Sequence, residues 1–158
     1  MSDNSSPLPM FVKEAFIAGT LAALQELYQL EGIADPESDS ADSPISLVHA
    51  IVAQIKLLLE PPGILIVAAP VDVASRLAQR YLPEGSHISD DLIDDCIGEL
   101  ANVIAGQAKT ALKGTPYHFM LTTPVVARHT ARPNESTRAW RCTIASEAGV
   151  LAIIVQLP

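Results

Sequence analysis

The chain is short of positive charge, aromatic rings and cysteine, and it has no long unbroken apolar run. Ten Lys and Arg stand against 18 Asp and Glu, for a formal net charge of −8. A nucleic-acid or anionic-membrane surface needs clustered cations, so neither partner is expected, and a partner presenting positive charge fits better. No stretch approaches the roughly 18 apolar residues of a membrane span. The first residues lack the basic segment, apolar core and cleavage site of a secretory signal, so a cytoplasmic location is expected. The two cysteines, Cys96 and Cys142, have no metal-type spacing and imply no disulfide framework. The histidines His49, His87, His118 and His129 form no HExxH pair, and no metal site is expected. The glycines build neither GxGxxG nor a P-loop, and no serine sits in GxSxG. Trp140 and the few other aromatics are not interleaved with basic residues and read as packing.

At 158 residues and 49% hydrophobic composition, the chain suits one domain with a sizeable core. Residues 1–9 are rich in Ser, Asn and Pro and read as a disordered tail, which leaves 10–158 as a single domain. Met10 to Tyr28 has the periodicity of an amphipathic helix, with Phe11, Ala15, Ala18 and Ala22 on one line and Val12, Phe16 and Leu24 beside it. Gly32 to Pro44 is acidic, small and proline-broken, a loop composition. Ile45 to Leu59 reads as a strand, with helix as the alternative, and Glu60-Pro61-Pro62-Gly63 turns it into an antiparallel strand ending at Ala69. A short helix follows over Pro70 to Tyr81. Tyr117 to Ala127, Arg138 to Ser146 and Val150 to Leu157 read as further strands, the last two long, apolar and placed near a sheet edge, with a polar loop over 129–137. The expected class is α+β: an antiparallel-rich sheet with two long helices packed on one face.

The second long helix is the segment with chemistry. Ser89 is a suitable N-cap, Asp90 and Asp91 fall in the first turn, and Lys109, Lys113, Gly114 and Pro116 mark the end, so the helix is expected over Asp90 to Lys113. Ile93, Cys96, Ile97, Leu100, Val103, Ile104, Ala108 and Ala111 share an apolar side. Cys96 on that side, and Cys142 in a strand, are expected to be core residues rather than nucleophiles. Asp91, Asp95, Glu99, Asn102, Gly106, Lys109 and Lys113 fall on the other side, with Glu99 and Asn102 three apart and therefore neighbours. Gly106 leaves a flat spot there, suited to close approach by another backbone.

The run Gly98-Glu99-Leu-Ala-Asn102, continuing through Gly106 and Ala108-Lys109-Thr110, with Asp95 before it and a strand ending Thr123-Pro124 after it, resembles the CheX branch of the CheC/CheX/FliY phosphatases. The resemblance implies a CheC/CheX-like fold and a phosphatase acting on the aspartyl phosphate of a CheY-like response regulator. On it, Asn102 orients the attacking water and Glu99 pairs with the regulator's active-site lysine. It places Asp95, Gly98, Gly106 and Lys109 on the partner-binding surface. It implies no cofactor in this chain, with Mg2+ belonging to the regulator, and a homodimer joined through its sheets. Glu-x-x-Asn occurs once here, so one site per chain is expected. The alternative is a non-catalytic module of the same kind that binds a response regulator, or a flagellar-switch or scaffold partner.

Overall fold

The structure, a computed structural model, describes residues 8–35, 49–128 and 139–157. The tail over 1–7, most of the acidic loop, the start of the first long strand before His49, and the loop at 129–137 with His129 lie outside the described residues. The elements run α1 (Met10–Tyr28), β1 (Ile33–Asp35), β2 (Ala50–Leu58), β3 (Gly63–Pro70), α2 (Val71–Tyr81), α3 (Asp90–Ala111), β4 (Met120–Leu121), β5 (Val125–Ala127), β6 (Ala139–Ser146) and β7 (Gly149–Gln156). The strands form one seven-stranded sheet in the order β1-β6-β7-β3-β2-β4, with β5 also on β2, and each pairing is antiparallel.

One face of the sheet carries all three helices. Ile51, Ala53, Ile55, Leu65, Val67, Cys142, Ile144 and Ile153 project from it into a core shared with Phe16, Leu24, Leu77, Leu100 and Ile104 of the helices. A smaller cluster of Ala50, Val52, Ile66, Ala68 and Ile154 lies on the other face. The two-residue period of the strands therefore produces both clusters. The α1 helix lies directly on α3, and the contact is close because Gly19 has no side chain: a Cβ there would sit 3.1 Å from the Ile104 carbonyl oxygen.

Several expectations need correction. The buried side of α1 is Val12, Ala15, Phe16, Gly19, Thr20, Ala23, Leu24 and Tyr28. Phe11, Ala18 and Ala22 are exposed, because the line through the larger residues Val12, Phe16 and Leu24 turns inward instead. The segment expected as a loop from Gly32 begins with a strand, since Ala34 pairs with Ile144 and extends the sheet beyond β6. That addition, with the β3–β7 pairing, puts β7 inside the sheet rather than near its edge. The α3 helix ends at Ala111, which is exposed rather than core. Leu112 caps it and Gly114 turns the chain at φ +83°.

The strand expected over Tyr117 to Ala127 is two short strands on the same neighbour. Leu121 pairs with Leu57, whereas Val125 pairs with Gln54, so three residues, Thr122 to Pro124, stand opposite two. Pro124 has no N–H for the ladder. The extra residue makes a bulge. It also exchanges the faces, so that Leu121 before it and Val126 after it both pack toward the helices.

Candidate functional site

The α3 helix is held at both ends and along one side before any partner is considered. Leu92 N donates to Ser89 Oγ at 3.2 Å, which satisfies one of the open amides at the helix start, and Asp90 and Asp91 complement the dipole there. Ile93, Cys96, Ile97, Leu100, Ala101, Ile104, Ala105 and Ala108 are buried. With the inner side fixed, Asp95 and Glu99 are exposed and Asn102 is half-buried.

Beside this outer side runs the β4–β5 edge. A Cβ added to Gly98 would lie 3.2 Å from Val126 Cγ2 and 3.9 Å from Pro124 Cγ, so the bare glycine is what lets the strand come this close. Gly98 is buried against the chain's own strand. Arg128 fastens the far end: its Nη2 is 2.9 Å from Asp94 Oδ1 and 3.6 Å from Asp90 Oδ1, and it donates to the Asp90 carbonyl at 3.1 Å. At the bulge, Thr122 N donates to the Lys56 carbonyl at 3.2 Å, and Lys56 N donates back to the Thr122 hydroxyl at 3.1 Å. A side-chain oxygen thereby replaces the missing ladder acceptor.

Between helix and edge lies an open cleft of about 890 Å³, lined by Asp91, Asp94, Asp95, Gly98, Glu99 and Asn102 on one wall and by Leu121 to Pro124 and Val126 on the other. Glu99, Asn102, Asp95 and Gly98 are thus brought together. Gly106 and Lys109, further along α3, do not line it. A Cβ on Gly106 would meet nothing within 4 Å, so its surface is open, whereas the close helix–helix approach is made at Gly19. Among the described residues, neither Glu99 nor Asn102 makes a side-chain hydrogen bond or ion pair, and both present unengaged polar groups to the cleft. The sequence reading passed over Asp94, Arg128 and the Thr122 to Pro124 wall. Thr123-Pro124 was visible as part of the pattern, but Asp94 falls off the helical stripe by one position and Arg128 is remote in sequence.

Glu99 also borders a smaller, more apolar cavity of about 300 Å³ with Leu27, Tyr28, Tyr81, Leu82, Leu92, Asp95 and Cys96. The Tyr28 hydroxyl donates to the Cys96 carbonyl at 3.2 Å. Burial pushes its phenol well above the ordinary range, and the charges of Cys96, Glu99 and Tyr81 push the same way, so it stays neutral. Both cysteines are free and buried. Burial raises the Cys96 thiol, with Asp95 adding to it, and burial raises Cys142 to about 11, so neither is a ready thiolate. Among the described residues no group of three or more His, Cys, Asp or Glu is placed to hold a metal ion, and no helix is long and apolar enough to cross a membrane.

The fold is similar to that of CheC- and CheX-like proteins. A CheC-like superfamily protein from Shewanella sp. PV-4 superposes with a TM-score of 0.75 at 19% identity, covering 94% of this chain and 98% of that one. The chemotaxis protein CheX from Vibrio vulnificus gives 0.74 at 20%, covering 96% and 99%. CheX in the CheX-CheY-BeF3-Mg2+ complex from Borrelia burgdorferi gives 0.69 at 15%, covering 92% and 96%. No curated protein sequence matches the chain. The profile of the CheX family, described as chemotaxis phosphatase CheX, matches residues 51–144, and the chain belongs to that family.

Proposed function

We propose that the protein is a phosphatase of two-component chemotaxis signalling that removes the phosphoryl group from the aspartate of a CheY-like response regulator. The observation that carries this reading is the cleft in which Glu99 and Asn102 stand side by side without hydrogen-bond or ionic partners among the described residues. Membership in a family described as chemotaxis phosphatases supports the reaction, and the Borrelia complex of a structurally similar CheX with CheY supports the kind of partner.

In the proposed reaction a water oxygen attacks phosphorus, and the bond between phosphorus and the aspartate oxygen breaks. The electron pair returns to the regulator's carboxylate, and the proton lost by the water leaves with phosphate and solvent. An aspartyl phosphate is already reactive, so what the enzyme has to supply is a placed water rather than a strong base. The Asn102 amide offers a donor and an acceptor and does not change charge near neutral pH. The Glu99 carboxylate meets the regulator's lysine and fixes the docked register. Asp95 and the open surface at Gly106 and Lys109 extend the contact area, while Gly98 contributes by holding the second wall close. Mg2+ is assigned to the regulator, and a cytoplasmic location follows from the partner.

A docking module without chemistry would need only the acidic rim of Asp91, Asp94, Asp95 and Glu99. An unengaged amide at the inner end of that rim favours catalysis. The test is phosphate release from a panel of phosphorylated receiver domains with and without the protein. Acceleration supports the phosphatase, and binding without acceleration supports the docking module.

A further inference from the structure

The bulge opposite Asn102 has a free hydroxyl that the proposed reaction does not yet use. Thr122 and Thr123 both line the cleft. The Thr122 hydroxyl is engaged by Lys56 N at 3.1 Å, whereas Thr123 is exposed and its hydroxyl has no partner among the described residues.

Its level along α3 follows from contacts already described. Arg128 meets Asp90 and Asp94, and Val126 meets Gly98, so β5 runs antiparallel to the helix. The two residues from Val126 to Arg128 span about 6.6 Å of strand, close to the roughly 6 Å that four helix residues rise from Asp94 to Gly98. Pro124, still within contact of Gly98, leads on to Thr123, which carries the second wall toward the turn bearing Asn102.

The cleft is polarised as a result. One end has Asp91, Asp94 and Asp95, with Arg128 consumed in ion pairs there, and the other has the neutral groups of Asn102, Thr122 and Thr123 beside the single carboxylate of Glu99, whose charge the regulator's lysine would meet. A dianionic phosphoryl group is repelled most strongly from the three-aspartate end and seats at the other once a lysine faces Glu99. Hydroxyl and amide donors then face it from opposite walls.

Resting on the phosphatase reading, we propose that Thr123 is a third substrate-contacting group, whose hydroxyl donates to a phosphoryl oxygen while Asn102 holds the water. The position is built for it. The following Pro124 restricts the Thr123 backbone to extended conformations, the β-branched side chain limits its rotamers, and the Thr122–Lys56 pair anchors the bulge, so the donor is set before the regulator arrives. The reaction itself is unchanged: the hydroxyl keeps its proton and stabilises negative charge on the departing phosphoryl group.

The experiment measures kcat and KM for phosphate release from receiver domains phosphorylated with phosphoramidate, using wild type, Thr123→Val and Thr123→Ser, with the thermal midpoint of each. Thr123→Val has nearly the volume of threonine without the hydroxyl. The expected result is a fall in kcat of about tenfold to a hundredfold with KM and thermal midpoint little changed, and recovery of most of kcat in Thr123→Ser. An unchanged kcat in Thr123→Val overturns the proposal while the phosphatase reading stands. Equal loss in both variants assigns the effect to packing and also overturns it. An inactive wild type overturns the phosphatase reading, and the proposal with it.

Discussion

Arg128 Nη2 lies 2.9 Å from Asp94 Oδ1, and this pair joins the residue that follows β5 to the first half of the site helix. Both side chains are about one-third exposed, at 30% and 31%, so the pair is screened less than a fully solvated one. Arg128→Ala is expected to lower stability by about 1 kcal/mol and, by freeing the β5 end, to lower turnover more than affinity. Urea unfolding combined with a kcat and KM measurement checks both parts, and an unaltered kcat would remove the pair from any role in the site.

Asn102→Ala should fold normally, because the amide makes no hydrogen bond among the described residues that the fold depends on. It is expected to lose about 3 kcal/mol of transition-state stabilisation, near a hundredfold in rate. Equal dephosphorylation of a phosphorylated receiver domain by variant and wild type would end the assignment of the water to this residue.

Glu99→Lys places a like charge opposite the regulator's lysine. Affinity for the phosphorylated regulator is expected to drop by about tenfold or more, with the loss shrinking as salt is added. Titration calorimetry at two ionic strengths reads it. An affinity that does not move would separate Glu99 from the docking contact.

Alkaline pH should loosen the core through Cys142. Its folded value of about 11 lies above the ordinary thiol value of 9.0, so burial favours the neutral thiol. Folding therefore has its full stability below pH 9 and loses part of it as pH rises from 9 toward 11, where the unfolded chain ionises first. Urea midpoints measured between pH 8 and 10.5 should fall for wild type and fall less steeply for Cys142→Ala, which is less stable throughout.

The resemblance to CheX carries a two-fold dimer joined through the sheet, with each cleft left open. The strand β7 offers no open edge for such a contact, because it is flanked by β6 and β3. Light scattering at micromolar protein, alone and with a phosphorylated regulator, is expected to give the dimer mass in both cases. A strict monomer, or a dimer that separates on regulator binding, would put the contact elsewhere or abolish it.

What the sequence made legible is local. The α1 bounds of Met10 and Tyr28, the Ser89 cap and the buried side of α3 through Ile93, Ile97, Leu100 and Ile104 follow from periodicity and capping, which act over a turn or two. The hairpin of β2 and β3 was readable from the Pro-Pro-Gly turn. Strand order was not, since β1 joins β6 across more than a hundred residues and nothing in Ile33–Asp35 announces it. Glu99 and Asn102 were visible as neighbours on one helix, but the wall that makes a cleft of them comes from a separate strand, held by a glycine contact and an ion pair that exist only in the folded chain.

The three-against-two stretch at Thr122 to Pro124 means that here residue number matters as well as residue kind. Paired residues share a face of the sheet, so the register with Gln54 and Ala53 decides which valine meets Gly98. In this register it is Val126, while Val125 is 68% exposed. Removing one of the three would leave two residues opposite Ile55 and Lys56 and keep Leu121 and Val126 facing inward, but it would take away the bulge that forms the second wall. Such an exposed loop would ordinarily be free to vary in length. This one is counted, because its third residue makes the bulge that walls the cleft.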